Sequence, residues 1–231
     1  MHNIQIYIDG SSLIKNNDYE SSTGVIFYDN DKEIARFGQY HKDGTNSKGE
    51  VYGMKIALEM IHKLYDSDDN LKNQKIIIIS DSEYVVKSVK SWIYNWVKNG
   101  WKTAKGSDIS FKSEFMEMYD KYLNRNIKNK NIKIWHINSH VKDITKARRK
   151  FQLVNSIDLD NTEFKKYVSR NDEVDKFANY IRLNKIESYD ETNKLLKYFQ
   201  GSDDTWEIRR NEERNLIVLH RRNIKQDQNS C

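Results

Sequence analysis

Residues 75–81 read KIIIISD, four consecutive isoleucines closed by a serine and an aspartate. A β-branched apolar run of strand length without alternation fits a strand covered on both faces, as at the centre of a sheet with helices above and below. Upstream, residues 4–9 (IQIYID) alternate with period two and predict another strand. Residues 23–28 and 33–40 flank the turn-forming Asp29, Asn30 and Asp31 and predict a hairpin, so three antiparallel strands open the chain. From Glu50 the spacing changes. Val51, Met54, Leu58, Ile61 and Leu64 or Tyr65 recur at helical intervals, with Gly53 alone lowering the propensity. Downstream of the isoleucine run, 82–92 and 111–123 predict helices, 132–138 a fifth strand and 171–183 a further helix. The order βββαβααβα predicts an α/β fold around a five-stranded mixed sheet, three antiparallel strands and then two parallel ones, flanked by helices.

Four acids acquire a geometry from this order. Asp9 and Asp81 fall at the C-terminal ends of predicted strands, Glu50 at the first turn of the helix leaving strand three, and Asp175 within the first two turns of the late helix. Ligands gather at the carboxyl ends of strands in open α/β sheets. Each acid alone has an ordinary reading: Glu50 as a first-turn acid favoured by the helix dipole, Asp81 as an N-cap. Together in one pocket they would repel one another unless divalent cations neutralised them, so the set predicts a metal site.

Composition limits the remaining classes. A chain of 231 residues holds one sizeable core of about 150 residues with a remainder, which predicts one domain and an extension. With 39 basic and 34 acidic residues the net charge is +5, so a polyanion site must be local rather than global. The single cysteine, Cys231, cannot form an internal disulfide, which predicts a reducing compartment. No apolar stretch approaches the roughly 20 residues that span a bilayer, and no apolar leader follows Met1. The expectation is a cytoplasmic monomer without a membrane partner.

Five ordered segments carry a resemblance: YIDGSS (7–12), TNSKGE (45–50), SDSEYV (80–85), WIYNWVKNGWKT (92–103) and NDEVDKFA (171–178). They resemble the ribonuclease H family, in its bacterial and eukaryotic type I branch, over roughly residues 3–140 and 170–183. The resemblance implies a ribonuclease H-like fold with a basic, Trp-rich protrusion. It also implies two Mg²⁺ ions, with Mn²⁺ as an alternative, held by Asp9, Glu50, Asp81 and Asp175. His140 matches a loop histidine that helps to activate water or release product. Between Trp92 and Lys112, the aromatics Trp92, Tyr94, Trp96 and Trp101 interleave with Lys98, Lys102, Lys105 and Lys112, a pattern suited to stacking and phosphate contact. Two tryptophans four apart on a helix are also what core packing produces, so a split between buried struts and a nucleic-acid face is expected. Thr45 and Asn46 match positions that contact substrate phosphate and the RNA minor groove, where the 2′-OH separates RNA from DNA. Ser12 and Ser47 are co-readers, and Glu83, Tyr84 and Thr103 complete the implied substrate set. The implied partner is an RNA–DNA hybrid, and the implied activity is hydrolysis of its RNA strand, leaving 5′-phosphate and 3′-hydroxyl ends. The alternatives are a catalytically silent hybrid-binding module and a DNA-acting nuclease of the same fold.

The chain also departs from the family. The stretch LIKNNDYESSTG (13–24) replaces a Gly- and Pro-bearing turn, Glu83 stands where a neutral residue is usual, and Asp43 where a basic one is common. An insert at about 142–169 carries the run Lys142, Lys146, Arg148, Arg149 and Lys150, which is either a solvated face or a second grip on the backbone. Asp172 and Glu173 lie close to Asp175 and compete for its role, with the helical register favouring Asp175. Residues 1–185 are the expected catalytic domain. The extension 186–231 predicts a helix at 186–199 and a small hairpin, 205–210 with 216–220.

Overall fold

The computed structural model describes residues 2–15, 18–124, 131–139, 141–200, 206–211 and 216–221, with backbone alone at 15, 18, 206–211 and 216–221. Strands β1 (Asn3–Lys15), β2 (Asp18–Asp29) and β3 (Lys32–His41) form an antiparallel meander, and β4 (Lys75–Ser80) and β5 (Ile132–His136) add in parallel beside β1. The isoleucine run lies between β1 and β5, and Ile76, Ile77, Ile78 and Ile79 are all fully buried. Ile76 and Ile78 join the core on one face, while Ile77 and Ile79 join the core on the other. This two-sided cover explains the missing alternation. Each isoleucine contributes roughly 1.5–3 kcal/mol of apolar burial.

Helix α1 (Asn46–Ser67) covers the first face with Val51, Met54, Ala57, Leu58, Ile61 and Leu64. Helix α2 (Glu83–Lys87) runs through a wide turn at Ser88–Trp92 into α3 (Ile93–Lys98), and α4 (Lys112–Met118) continues through Tyr119–Leu123. The second face is covered by α5 (Ile144–Asn155) and α6 (Asn161–Leu183) through Phe151, Phe164, Tyr167, Val174, Phe177 and Ile181.

Four expectations need correction. The late helix begins at Asn161 rather than 171, because Asp160 and Glu163 form a capping box and Phe164 and Tyr167 extend the apolar stripe backwards. Asp175 therefore sits mid-helix and not in the opening turns. The first helix begins at Asn46, so Glu50 is not a first-turn acid and its position owes nothing to the helix dipole. Among the described residues the sheet holds eight strands rather than five, in the order β5-β4-β1-β2-β3-β6-β8-β7. The edge of β3 offers unpaired backbone groups, and β6 (Tyr189–Asp190) takes them at Phe37 and Gly38. Beyond it lie β8 (Leu216–Arg221) and β7 (Trp206–Asn211), paired as the antiparallel hairpin expected from the sequence. Lastly, β1 and β2 run past the expected strand ends, since 11–15 and 18–22 continue the pairing register.

Residues 186–200 are built into the same cores. Ile186 is buried and its carbonyl accepts from Tyr40 N at 2.9 Å, and Leu195 of helix α7 (Thr192–Gln200) lies in the core with α1. Among the described residues, no helix is long and apolar enough to cross a membrane.

Candidate metal and nucleic-acid site

The register brings the carboxylates together. Ile8 pairs with Ser80 in the parallel ladder, so Asp9 and Asp81 follow at the same level. Glu50 arrives from α1, which approaches the β1–β2 ribbon so closely that a Cβ on Gly49 would lie 2.1 Å from the Ser22 carbonyl oxygen. One oxygen from each of Asp9, Glu50 and Asp81 lies within 4.8 Å of the others. Asp9 and Glu50 are buried, and Asp81 is half-buried.

Each carboxylate is held by a neighbour. Asp9 Oδ1 accepts from Gly10 N at 2.7 Å. Glu50 Oε2 accepts from the Ser82 hydroxyl at 2.6 Å and Oε1 from the Asn46 amide at 3.0 Å. Ser82 Oγ also accepts from Val85 N at 3.3 Å and so caps α2, which couples Glu50 to the start of that helix. The Asn171 amide donates to the Asp81 carboxylate from α6. The Asn171 Oδ1 is buried without a partner among the described residues. His136, last in β5, donates from Nε2 to the Asp81 carbonyl at 3.1 Å.

The electrostatics follow from crowding. Burial pushes the Asp9 carboxyl up to about 9, and the Asp81, Asp175 and Glu50 carboxylates reinforce it against the Gly10 hydrogen bond. Burial likewise raises Glu50, opposed by the Ser82 and Asn46 hydrogen bonds, and raises Asp81, opposed by Asn171. Three carboxyl groups in this state are poor neighbours for one another and good ones for a hard divalent cation, which removes the repulsion and prefers oxygen ligands. The donor set fits such an ion. Asp175 is exposed and stands outside the set of three, yet its charge is felt by both Asp9 and Asp81.

The other sequence-predicted residues fall into groups. Thr45 is the N-cap residue of α1, with Asn46 exposed and Ser47 half-buried just inside the helix. Ser12 is exposed on the β1–β2 ribbon. Glu83 pairs with Lys87 at 2.6 Å, and that contact holds its carboxyl below the usual range, with His136 and Lys150 adding to the effect. Asp43 accepts from Lys48 Nζ through its backbone carbonyl at 2.5 Å. In the protrusion Trp96 is buried against Phe115, whereas Trp92 is 38% exposed beside Tyr84. Trp101 is half-buried against Tyr119. Lys98 is exposed, Lys102 pairs with Asp108 at 2.6 Å, and Thr103 accepts from Ser107 N within its own loop. His140 lies outside the described residues.

Three residues at the site were not singled out in the sequence: Ser82, His136 and Asn171. Asn171 lies one turn before Asp175 on the same helix, and Ser82 follows Asp81 at a helix start, so both carried a readable signal. His136 carried none, because its role depends on the β4–β5 pairing.

A family model for RNase H matches residues 1–154. The ribonuclease H of Treponema denticola is 31% identical over 121 residues, which cover 50% of this chain and 76% of that protein. That of Thermosynechococcus vestitus is 28% identical over 113 residues, covering 49% of this chain and 66% of its own. Against six further bacterial ribonuclease H proteins the chain spans 54–64% of their length. In fold, the chain is similar to the native protease–reverse transcriptase of prototype foamy virus, with a TM-score of 0.53 at 16% identity, covering 78% of this chain and 21% of that one. The solution structure of the RNase H domain of that virus gives 0.50 at 15% identity, covering 68% and 91%.

Proposed function

The chain belongs to the ribonuclease H family, and from that premise we propose that it hydrolyses the RNA strand of RNA–DNA hybrids, leaving 5′-phosphate and 3′-hydroxyl ends. The observation that carries the reading is the convergence of Asp9 from within β1, Asp81 from just beyond the end of β4 and Glu50 from α1. Mg²⁺ is the assigned metal, and a pair of ions would be held by these three with Asp175 as the fourth ligand. Bound there, the ions supply Lewis acidity toward an attacking water and the departing 3′ oxygen.

The chain's own residues do the rest. Ser82 and Asn46 hold the two oxygens of Glu50, and Asn171 holds Asp81, so the ligand set is oriented before any ion enters. Thr45, Asn46, Ser12 and Ser47 line the approach for the RNA strand, where short polar groups read the 2′-OH. The protrusion, through exposed Trp92 and Lys98 with half-buried Trp101, Lys102 and Thr103, takes the DNA strand, while Trp96 serves as its buried strut. Glu83, neutralised by Lys87, stands with Tyr84 at the start of α2 without repelling phosphate. His140 is assigned to water activation or product release.

The test is cleavage of a labelled RNA–DNA hybrid beside RNA–RNA and DNA–DNA duplexes, in Mg²⁺ and in EDTA, for wild type and Asp81→Asn. The expected result is Mg²⁺-dependent cutting of the hybrid's RNA strand alone, with a loss of at least about a hundredfold in the variant. Retention of the hybrid without cutting would overturn the reading in favour of a binding module, and comparable cutting of duplex DNA in favour of a DNA nuclease.

A further inference from the structure

Helix α5 is anchored to the end of β5, which is bonded to Asp81, and carries an exposed basic face. Ile144, Ala147 and Phe151 turn inward to the core of the second face, while Lys146, Arg149 and Lys150 lie exposed on the opposite side. Arg148 does not belong with them. It is half-buried, donates from Nη1 to the Leu159 carbonyl at 2.8 Å, and ties α5 to the segment that leads into α6.

The helix is fixed to the site by direct bonds. Asn155 receives the His136 N–H at 3.3 Å and donates to the His136 carbonyl at 3.1 Å, extending the end of β5 as a neighbouring strand would. His136 in turn bonds the Asp81 carbonyl at 3.1 Å. Lys150 Nζ reaches Asn138 Oδ1 at 3.4 Å, just beyond that strand end. Many exposed lysines elsewhere are paired with carboxylates, as Lys63 is with Glu59, Lys121 with Glu117 and Lys166 with Asp31. Among the described residues Lys146, Arg149 and Lys150 have no such partner. Three exposed cations with no carboxylate at ion-pair distance, of which Lys150 also helps to hold the Glu83 carboxyl down, give this helix face a local positive potential suited to a polyanion.

We propose that Lys146, Arg149 and Lys150 of α5 form a second grip on the phosphodiester backbone of the nucleic acid, separate from the Trp-rich protrusion. This rests on the functional reading above and extends it. The grip is on phosphates, so it adds affinity without choosing between hybrid and DNA duplex.

The test is binding of a short fluorescent hybrid, and of a DNA duplex, by the full chain in EDTA across a salt series. Wild type is compared with Lys146→Gln/Arg149→Gln/Lys150→Gln, with Lys63→Gln/Lys121→Gln/Lys166→Gln removing the same charge elsewhere, and with Arg149→Lys. The α5 variant is expected to weaken both ligands about tenfold at physiological ionic strength and to flatten the salt slope by about one for each phosphate that is no longer neutralised. The distant variant and Arg149→Lys should bind as wild type, with unchanged melting midpoints in the α5 variant excluding misfolding. An unchanged slope, or an equal loss of affinity in the distant variant, would overturn the proposal. Wild-type cleavage of the hybrid in the same preparation separates this failure from failure of the parent reading.

Discussion

Asp9 ties protonation to metal at the scale of a single residue. With its folded pKa raised to about 9, the metal-free fold binds the Asp9 proton more tightly than the unfolded chain, whose carboxylate titrates near 4. That contribution to stability is fully present at acidic pH and is lost as pH rises from about 4 toward about 9. A divalent cation reverses the penalty. Mg²⁺ should therefore raise the melting midpoint more at about pH 8 than near pH 5, and its binding near pH 7 should release roughly one proton, read by calorimetry in buffers of different ionisation enthalpy. Asp9→Asn should raise the metal-free midpoint at about pH 8 and abolish the proton release. Equal release from wild type and variant would assign the proton elsewhere. The four acids were legible in the sequence through the motifs that contain them, but only Asp81 keeps the expected place just beyond a strand end: Asp9 lies within the longer β1, and Glu50 and Asp175 lie past the opening turns of their helices. Which of them is buried, and which stays exposed, was not legible there.

At the scale of elements, the contact between α1 and the β1–β2 ribbon sets the distance from Glu50 to Asp9. A Cβ on Gly49 would meet Ser22 O at 2.1 Å and Gly10 Cα at 2.9 Å, both backbone atoms that cannot swing aside. Gly49→Ala should force α1 away from the ribbon, cost about 1–3 kcal/mol in urea unfolding and weaken metal binding together. Gly53, read from the sequence as a mere loss of helix propensity, is the contrast. Its added Cβ would meet the Ile8 Cβ at 3.2 Å, far less severe than the 2.1 Å approach at Gly49, and the gain in propensity offsets the strain. Gly53→Ala should change stability by less than about 1 kcal/mol. If both variants behave alike, the close approach is not what positions Glu50. The insert belongs to this scale too. Its basic run read as one block, but helical geometry separates inward Arg148 from outward Lys146, Arg149 and Lys150.

For the whole molecule, the segment after Lys185 closes both cores. Glu191 is buried and accepts from Arg36 N at 2.7 Å, Tyr198 donates to Asp29 at 3.0 Å, and Ile186, Tyr189 and Leu195 are each buried. Each of these apolar side chains contributes roughly 1.5–3 kcal/mol, in a domain whose net stability is of order 5–15 kcal/mol. Truncation after Lys185 should therefore lower the melting midpoint sharply or leave the chain largely unfolded, measured by circular dichroism with a chain ending at Gln200 beside it. A truncated chain that melts as the full one does would show that 186–200 is dispensable.

Local pattern in the sequence determined the alternation of β1, the unbroken apolar run of β4, the stripe of α1, the C-terminal hairpin and the place of Asp81 just beyond β4. Each of these reflects only which neighbours a residue has along its own helix or strand. Tertiary structure alone decided the joining of β6 to β3, the grip of Ser82 on Glu50, the standing of Asp175 outside the carboxylate trio and the sorting of the protrusion's tryptophans. These depend on pairings between residues tens of positions apart, which no local periodicity encodes and which form only when the packed sheet brings its edges and helices into register.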